Sequence, residues 1–419
     1  MKSGTQLLVI GLASLFAITI TTATCLGIIF GLVNNQQLAF GITCDGTPLY
    51  GMNKKTAAAF LQKTAEKKLT QKAIILTYGE HKWEITPQEI NLQADIDTTL
   101  EQAYAIGRSK NPLKNIADEL TCAVYGKNLA FSVTCDETKL QSKLQQIAKS
   151  IDVPAKNATF LLEANGQLKL VPAVEGKKVD IQGLTETLLT KASALELPVH
   201  TEIHPDTLPP KITDTDLNNI DSVLASYTTT FYAGDSNRSD NIAIAAKTID
   251  NCLIKSGSEF SFNGTVGSRL AAAGYKNAPV ILEGKVQDDI GGGVCQVSST
   301  LYNAILLAGL APTARTSHFY PSNYVPPGLD ATVADGQIDF KFRNNLPHNV
   351  FLMTSIYDGH LTFYVLGHKS DLEGKQIRLA TKYEKPAPAP VVSVYRIYSK
   401  NGQDISEEFL HTDHYYSAS

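Results

Sequence analysis

Two stretches of the chain repeat each other and limit what its N-terminal half can fold into. Residues 39–47 read AFGITCDGT and residues 130–138 read AFSVTCDET, so six of nine positions are identical at an offset of 91. After each copy, the spacing of apolar residues predicts a helix, two strands joined by a turn, and a second helix. The period is too long and the copies are too few for a solenoid. The repeat therefore predicts two small α+β units, over 38–125 and 126–212.

The predicted elements of the two units correspond to one another. The helices are predicted at 53–67, 96–106, 138–151 and 181–194, and the strands at 73–78, 83–85, 159–163 and 167–171. The second helix of each unit follows an aspartate, which stabilises a helix N-terminus. Neither copy carries a cluster of nucleophiles or metal ligands, so the repeats are predicted to be binding or spacer modules.

Charge and cysteine content exclude several classes of protein. The 419 residues include 37 Lys and Arg against 41 Asp and Glu, so 37 − 41 gives a net charge of −4 with His neutral. A nucleic-acid-binding protein needs a basic face, so no nucleic-acid partner is predicted. Six cysteines are too few for a disulfide scaffold, and the length leaves room for two or three domains.

The N-terminus carries a long uncharged segment. No Asp, Glu, Lys, Arg or His occurs between Lys2 and Asp45, and residues 7–33 are almost wholly apolar or small. This run is long enough to cross a bilayer core of about 30 Å, and Lys2 favours a cytoplasmic N-terminus. A cleaved signal peptide, whose apolar region is usually shorter, is the alternative. The prediction is a single-pass protein of the cell membrane with the bulk of the chain outside the cell.

In an extracellular location, cysteines can form disulfide bonds. Cys122 and Cys135 flank the turn-like residues 125–128 and could face each other across a hairpin. Two separate buried thiols are the alternative. Five cysteines follow the apolar segment, so at least one of them stays unpaired within the chain.

The most informative segment runs from Ile290 to Leu310 and reads IGGGVCQVSSTLYNAILLAGL. Apolar residues recur at helical spacing after Cys295, and Gly309 predicts the end of this helix. Cys295 therefore opens a helix behind three glycines. The positive end of the helix dipole lowers the pKa of a cysteine in that position, and nearby N–H groups could hold an oxyanion. This arrangement is typical of a thiol nucleophile.

A nucleophilic cysteine needs a base. His318 follows 23 residues after Cys295, and Asp330 or Asp339 could orient its imidazole. The alternative is structural: Cys295 would be a small buried residue where the glycines let a strand approach, and His318 a structural histidine.

Residues 83–108 and 170–189 resemble the peptidoglycan-binding repeats of bacterial envelope proteins. They read WEITPQEINLQADIDTTLEQAYAIGR and LVPAVEGKKVDIQGLTETLL. The resemblance extends over most of residues 40–210. It implies a location at the cell wall, with peptidoglycan or its precursors as a partner.

Residues 228–368 resemble the VanW family, which is named for an accessory protein of glycopeptide-resistance clusters. The matching phrases run in order over residues 260–284, 291–310 and 318–344. The resemblance implies a mixed α/β domain in the cell envelope. Its site candidates are Cys295, His318, Asp330 and Asp339 for catalysis, and Gly291, Gly292, Gly293, Gln296, Ser298, Ser299, Tyr302 and Asn303 for the motif and ligand binding.

The flanks of this domain are predicted to be simple. Residues 213–227 read as a linker helix, and residues 369–419 as a Pro/Ala-rich connector followed by a β tail, in which His411 and His414 are expected to be exposed. The sequence contains no phosphate-binding loop, dinucleotide fingerprint, HExxH motif or paired CxxC. No cofactor and no metal site are therefore predicted.

Together these patterns predict an α+β protein with an N-terminal transmembrane helix, two repeated small α+β units and a mixed α/β VanW-like domain with a short β tail. The predicted function is to bind or organise peptidoglycan, with a link to glycopeptide susceptibility. The predicted partners are peptidoglycan, the lipid bilayer through residues 7–33, and other envelope proteins. The alternative function is a cysteine-dependent amidase or transpeptidase acting on cell-wall peptides.

Overall fold

A computed structural model of the chain describes residues 14–22, 24, 36–69, 74–192, 198–282 and 285–417. Helices and small sheets alternate throughout, so the predicted α+β class is confirmed. The chain divides into two units, residues 1–154 with 176–208 and residues 155–175 with 209–419.

The predicted membrane segment lies largely outside the described residues. Of residues 7–33, the structure describes 14–22 and 24, which are helical. Within the described ranges, no helix has both the length and the apolar composition that a bilayer crossing requires.

Within residues 36–208, the described part of the first unit is built from short strands and five helices of ten residues or more. The helices are Lys54–Leu69, Ile96–Ala105, Pro112–Tyr125, Glu137–Ile151 and Ile181–Ala192, with a 3-10 turn at Pro87–Ile90. One three-stranded sheet has the order Thr47–Pro48, Ile42–Cys44, Lys127–Leu129, and another has the order Val199–Glu202, Ile74–Tyr78, His81–Ile85. Two further sheets are strand pairs: Gln93–Ala94 with Val133–Thr134, and Gly176–Lys178 with Asp206–Leu208.

The two sequence repeats share hydrophobic cores in this unit. Ile74 and Leu76, from the hairpin of the first repeat, are buried in one cluster with Leu144 and Leu188, from the helices of the second repeat. The second-repeat strand Lys127–Leu129 likewise pairs in parallel with Ile42–Cys44 of the first. The cores of the first unit therefore cross the predicted boundary between residues 125 and 126.

The hairpin of the second repeat belongs to the second unit. Its strands Thr159–Leu162 and Leu168–Val171 pair with each other, and Phe160 is buried with Leu366. The rings of Phe160 and Phe351 meet edge to face with centroids 5.7 Å apart. The apolar face of this hairpin is therefore covered by the sheet of the second unit.

The second unit combines antiparallel sheets with one central helix. The central sheet has the order Ser222–Thr230, His360–Gly367, Val350–Tyr357, Cys252–Ile254. A second sheet has the order Glu259–Ser261, Lys341–Arg343, Ala311–Ala314, and Asn277–Leu282 forms a hairpin with Lys285–Ile290. The tail sheet has the order Gln376–Lys385, Val391–Lys400, Gln403–His414. The helices are Asp214–Leu217, Ser236–Ile249, Phe262–Val266 and Val294–Leu307, with 3-10 turns at Ala271–Ala273 and Lys369–Leu372.

The helix Val294–Leu307, here called the Cys295 helix, lies at the centre of this unit. It packs against the strands Ser222–Thr230 and His360–Gly367 and against the helix Ser236–Ile249. Its residues are buried almost all round, as expected for a helix inside a large core. A motif at the start of this helix is therefore held rigidly.

Several details of the sequence prediction are wrong. The linker helix at 213–227 is helical only over Asp214–Leu217. The residues Ser222–Thr230 form a strand because Val, Tyr and Thr favour an extended backbone and the segment pairs with His360–Gly367. The Pro/Ala-rich connector is the loop between two strands of the tail sheet, since residues 382–385 are already strand.

The possible cysteine hairpin is absent as well. Cys122 lies in the helix Pro112–Tyr125, which begins at the N-cap Asn111, so it does not face Cys135 across two strands. Both are free thiols in the structure.

Candidate functional site

Three glycines bring a neighbouring strand against the start of the Cys295 helix. A Cβ atom on Gly292 would lie 2.5 Å from the carbonyl oxygen of Ala278 and 2.7 Å from that of Pro279. Gly293 is the N-cap of the helix, with φ of 105°, a backbone conformation that side chains other than glycine rarely adopt. The glycines are therefore required by close approach and by the turn into the helix.

Cys295 occupies the first turn of its helix, as predicted. It is only partly buried, whereas its neighbours Val294 and Gln296 are buried. Its Sγ atom lies 3.4 Å from the carbonyl oxygen of Val333. The N–H groups of a first helical turn have no intrahelical acceptors and carry the positive end of the helix dipole. The sulfur therefore lies where negative charge is favoured.

His318 links Cys295 to Asp330. The imidazole and the thiol of Cys295 are close enough to shift each other's pKa, and Nδ1 of the imidazole lies 2.6 Å from Oδ2 of Asp330. Because the carboxylate can only accept, Nδ1 carries a proton and Nε2 is the ring nitrogen left for other partners. The hydroxyl of Tyr324 is 3.4 Å from the same Nε2. The structure thus brings together Cys295, His318 and Asp330.

The pKa shifts favour the charged forms of this group. Burial alone would raise the pKa of the Cys295 thiol, but the hydrogen bond and charge of His318 and the charge of Arg269 hold it below the ordinary value. Burial would lower the pKa of His318, yet the hydrogen bonds to Asp330 and Cys295 raise it to about 10. Both shifts therefore favour the thiolate and imidazolium forms over the neutral pair.

The polar face of the Cys295 helix holds the segment that carries Asp330. Ser298 Oγ donates to the carbonyl oxygen of Ala331 at 2.6 Å, and Ser299 Oγ accepts from the backbone N–H of Ala331 at 2.9 Å. Asn303 donates to the carbonyl oxygen of Leu329 at 2.7 Å. These motif residues therefore fix the position of the acid, and through it the position of the imidazole.

Residues of the β tail complete the surroundings of Asp330. Arg315 Nη2 lies 3.2 Å from Asp330 Oδ1, and Arg315 Nη1 lies 2.6 Å from Asp413. The hydroxyl of Tyr415 donates to Asp330 and accepts from the backbone N–H of Gly328. Although burial would raise the pKa of Asp330, the hydrogen bond from His318, the charge of Arg315 and the bond from Tyr415 hold it at about 2.

Two further arginines border the glycine turn. Arg238 packs against Gly293 and Arg269 against Gly291. Arg238 donates to Oε1 of Gln296 at 2.7 Å, so the motif glutamine orients a cation beside the helix start. Both guanidinium groups add positive charge near the sulfur, which further stabilises a thiolate.

The structure does not bring every predicted residue to the sulfur. Asp339 accepts hydrogen bonds from Ser261 Oγ at 2.6 Å and from the backbone N–H of Asn263 at 2.9 Å, so it caps a short helix instead of orienting His318. Tyr302 is buried against Phe340, with ring centroids 5.6 Å apart. Its role in the structure is packing.

Sequence reasoning missed six residues of the site, namely Arg238, Arg269, Arg315, Tyr324, Asp413 and Tyr415. The tail was expected to be exposed, but Asp413 and Tyr415 are buried. One signal was available: Arg315 stands three residues before His318 in a segment with few other charges.

We expect Cys295 to be alkylated faster than the other thiols at about pH 6 to 7, because only thiolates react. Burial raises the pKa of Cys44 and Cys252 to about 11, so both serve as internal controls. The rate at Cys295 should fall only when the pH drops below its lowered pKa. In His318→Gln, burial is opposed by the charge of Arg269 but no longer by His318, so the rate should instead rise only at a higher pH than in the native protein, toward or above the ordinary thiol pKa of ~8.5. Mass spectrometry of iodoacetamide-treated protein measures this, and equal reactivity of all thiols would contradict it.

We expect Tyr415→Phe to lower the free energy of unfolding by about 1.5–3 kcal/mol at neutral pH, because a hydrogen bond to a buried charge is lost. The folded-state pKa of Asp330 is depressed, so this stability is present above the unfolded pKa and disappears as pH falls through about 2. The difference between the variant and the native protein should therefore shrink in acid.

Urea unfolding at several pH values measures this difference. Tyr416→Phe is the matched control, because that exposed side chain stacks on Phe319 through its ring. Equal effects of the two substitutions, or an effect independent of pH, would show that the bond to Asp330 contributes nothing.

Comparisons with known proteins identify two domains in the chain. A family model described as "VanW like protein" matches residues 237–366, and one described as "Putative peptidoglycan binding domain" matches residues 83–199. The chain is 31% identical over 283 residues to the uncharacterized protein YoaR of Bacillus subtilis strain 168, covering 65% of this chain and 92% of that protein.

A second relative matches a shorter part of the chain. The vancomycin B-type resistance protein VanW of Enterococcus faecalis strain V583 is 35% identical over 114 residues, which cover 26% of this chain and 42% of that protein. No solved structure matches the chain. The two domain matches occur in the predicted order, and the chain belongs to the VanW-like protein family.

Proposed function

We propose that this protein is a cysteine-dependent acyl-transfer enzyme, an amidase or transpeptidase, that acts on the peptides of peptidoglycan. One observation carries the proposal: Cys295, at a helix N-terminus, interacts with His318, whose imidazole is held by the buried carboxylate of Asp330. This is the arrangement by which a base and an orienting acid activate a nucleophile.

The proposed reaction has two steps. The thiolate of Cys295 attacks the carbonyl carbon of a peptide amide and forms a C–S bond. The C–N bond then breaks, and the imidazolium of His318 gives its proton to the leaving amine. In the second step His318 takes a proton from water or from an acceptor amine, which attacks the thioester. A carboxylate or a new amide leaves, and the thiolate is restored.

The environment of the sulfur supports this role. The tetrahedral intermediate carries an oxyanion, and N–H groups of the first helical turn are suited to stabilise one. Asp330 keeps the imidazole in the tautomer that leaves Nε2 for the sulfur.

The first unit supplies the reason for choosing wall peptides. The peptidoglycan-binding match covers residues 83–199, so the chain would hold the wall polymer while the VanW-like domain acts on it. In this proposal, binding and catalysis are two parts of one function. An enzyme that changes wall peptides would also change the target of wall-directed drugs, which is the link to glycopeptide susceptibility that we include in the proposal.

The proposal also includes membrane anchoring through residues 7–33, with the N-terminus in the cytoplasm. It is supported by the apolar composition of this segment and by Lys2 ahead of it. We expect added protease to cleave the chain beyond residue 45 in cells stripped of their wall, while a tag at the N-terminus stays protected. Protection of the whole chain, or its release into the medium, would contradict the anchor.

We expect Cys295→Ala to abolish turnover of cross-linked wall peptides, with a loss of at least about 10³-fold. Mass spectrometry should detect an acyl adduct on Cys295 in the native protein, and more of it in His318→Gln if the second step is slowed. The control is Cys135→Ala, which removes a thiol from the first unit and should leave turnover unchanged. Full turnover by Cys295→Ala would show that the reaction does not depend on this cysteine and would contradict the proposal. If the native protein binds the wall but gives neither an adduct nor turnover, the protein is a wall-binding scaffold and not an enzyme.

A further inference from the structure

Two histidines and an aspartate meet at one end of the central sheet. His348 stands just before the strand Val350–Tyr357, and His368 directly follows the strand His360–Gly367. These strands are antiparallel neighbours, with Phe351 opposite Leu366, so the two imidazoles lie side by side. Asp371 joins them from the 3-10 turn Lys369–Leu372, which His368 caps.

The ligand atoms of this group converge. One nitrogen of each imidazole and one carboxylate oxygen of Asp371 all lie within 4.8 Å of one another. The imidazole rings are stacked, with centroids 4.4 Å apart. Nδ1 of His368 lies 2.7 Å from Ser370 Oγ; in the tautomer with the proton on Nδ1 the ring donates to this hydroxyl, and the Nε2 lone pair is left for another partner. Such support is usual for an imidazole that binds a metal.

Asp371 provides an independent indication of a ligand. Its side chain is only 1% exposed, and one oxygen, Oδ1, lies 2.7 Å from Nδ1 of His348. The other oxygen, Oδ2, is buried and has no hydrogen-bond partner. A buried carboxylate oxygen without a partner is costly. A cation at the convergence point would satisfy it.

We propose that His348, His368 and Asp371 form a binding site for a divalent transition metal, with Zn²⁺ preferred. Imidazole and carboxylate donors suit zinc, whereas Ca²⁺ and Mg²⁺ require mostly oxygen ligands. Zinc bonds of about 2.0–2.2 Å need ligand atoms closer together than 4.8 Å, and rotation of the half-exposed imidazoles supplies that movement. The carboxylate of Asp221, 3.9 Å from Nε2 of His368, is the nearest further donor.

The position of this site indicates a structural role. The turn Lys369–Leu372 leads from the central sheet into the tail strand Gln376–Lys385. The tail sheet carries Asp413 and ends next to Tyr415, which contact Arg315 and Asp330. A metal ion here joins the start of one central strand to the turn that leads into the tail. It therefore stabilises the framework of the site without contacting Cys295 or His318.

The test is metal binding by the whole protein, which does not depend on any enzymatic activity. Chelator-treated protein is titrated with Zn²⁺ in competition with a chromogenic chelator, in the native chain and in Cys295→Ala. We expect one equivalent of zinc per chain in both. The substitutions His348→Gln and His368→Gln should each lower the affinity at least about 100-fold.

The matched control is His360→Gln, which removes an exposed imidazole from the other end of the same strand and should leave zinc binding unchanged. X-ray absorption at the zinc edge of the native protein should show two imidazole ligands and no sulfur, and it needs no variant to fold. No stoichiometric zinc uptake, a sulfur ligand, or unchanged affinity in the His348→Gln, His368→Gln double variant would overturn the proposal.

Discussion

The electrostatic pairing of Cys295 with His318 is the interaction on which the rest of the site depends. A thiolate and an imidazolium in a poorly solvated environment lose hydration, and this loss is tolerated only when each charge has partners. The structure supplies them in alternation: the thiolate, His318, the carboxylate of Asp330, the guanidinium of Arg315 and the carboxylate of Asp413. Removing one member leaves its neighbour buried and unpaired, so the members stabilise one another.

This alternation explains why the tail sheet is part of the site. Arg315 has only 8% of its side chain exposed, and Asp413 of the tail is one of its two carboxylate partners. The match to the VanW-like family model ends at residue 366, yet Asp413 and Tyr415 lie well beyond it. A chain cut at the end of the matched domain would therefore leave Arg315 and Asp330 with fewer partners.

The helix of the nucleophile, the first hairpin and the repeated helices could be predicted because their signals are local. Periodic apolar residues and the glycines of 291–293 determine where the Cys295 helix begins, and this signal does not depend on contacts with distant parts of the chain. The choice between Asp330 and Asp339 could not be made, since it depends on which carboxylate Ser299 and Asn303 hold near the imidazole. The shared cores of the repeats and the cluster of His348, His368 and Asp371 were missed for the same reason: strand pairing brings together residues that sequence spacing separates.

The protonation state of His318 tests the central claim most directly. Nitrogen chemical shifts of the labelled imidazole, followed by NMR across pH, report whether both ring nitrogens carry protons. The account predicts an imidazolium at neutral pH that loses its proton only near pH 10, and a lower titration point once Cys295→Ala removes the negative sulfur. A neutral imidazole at pH 7 in the native protein, or the same titration with and without the sulfur, would contradict a charged pair at this site.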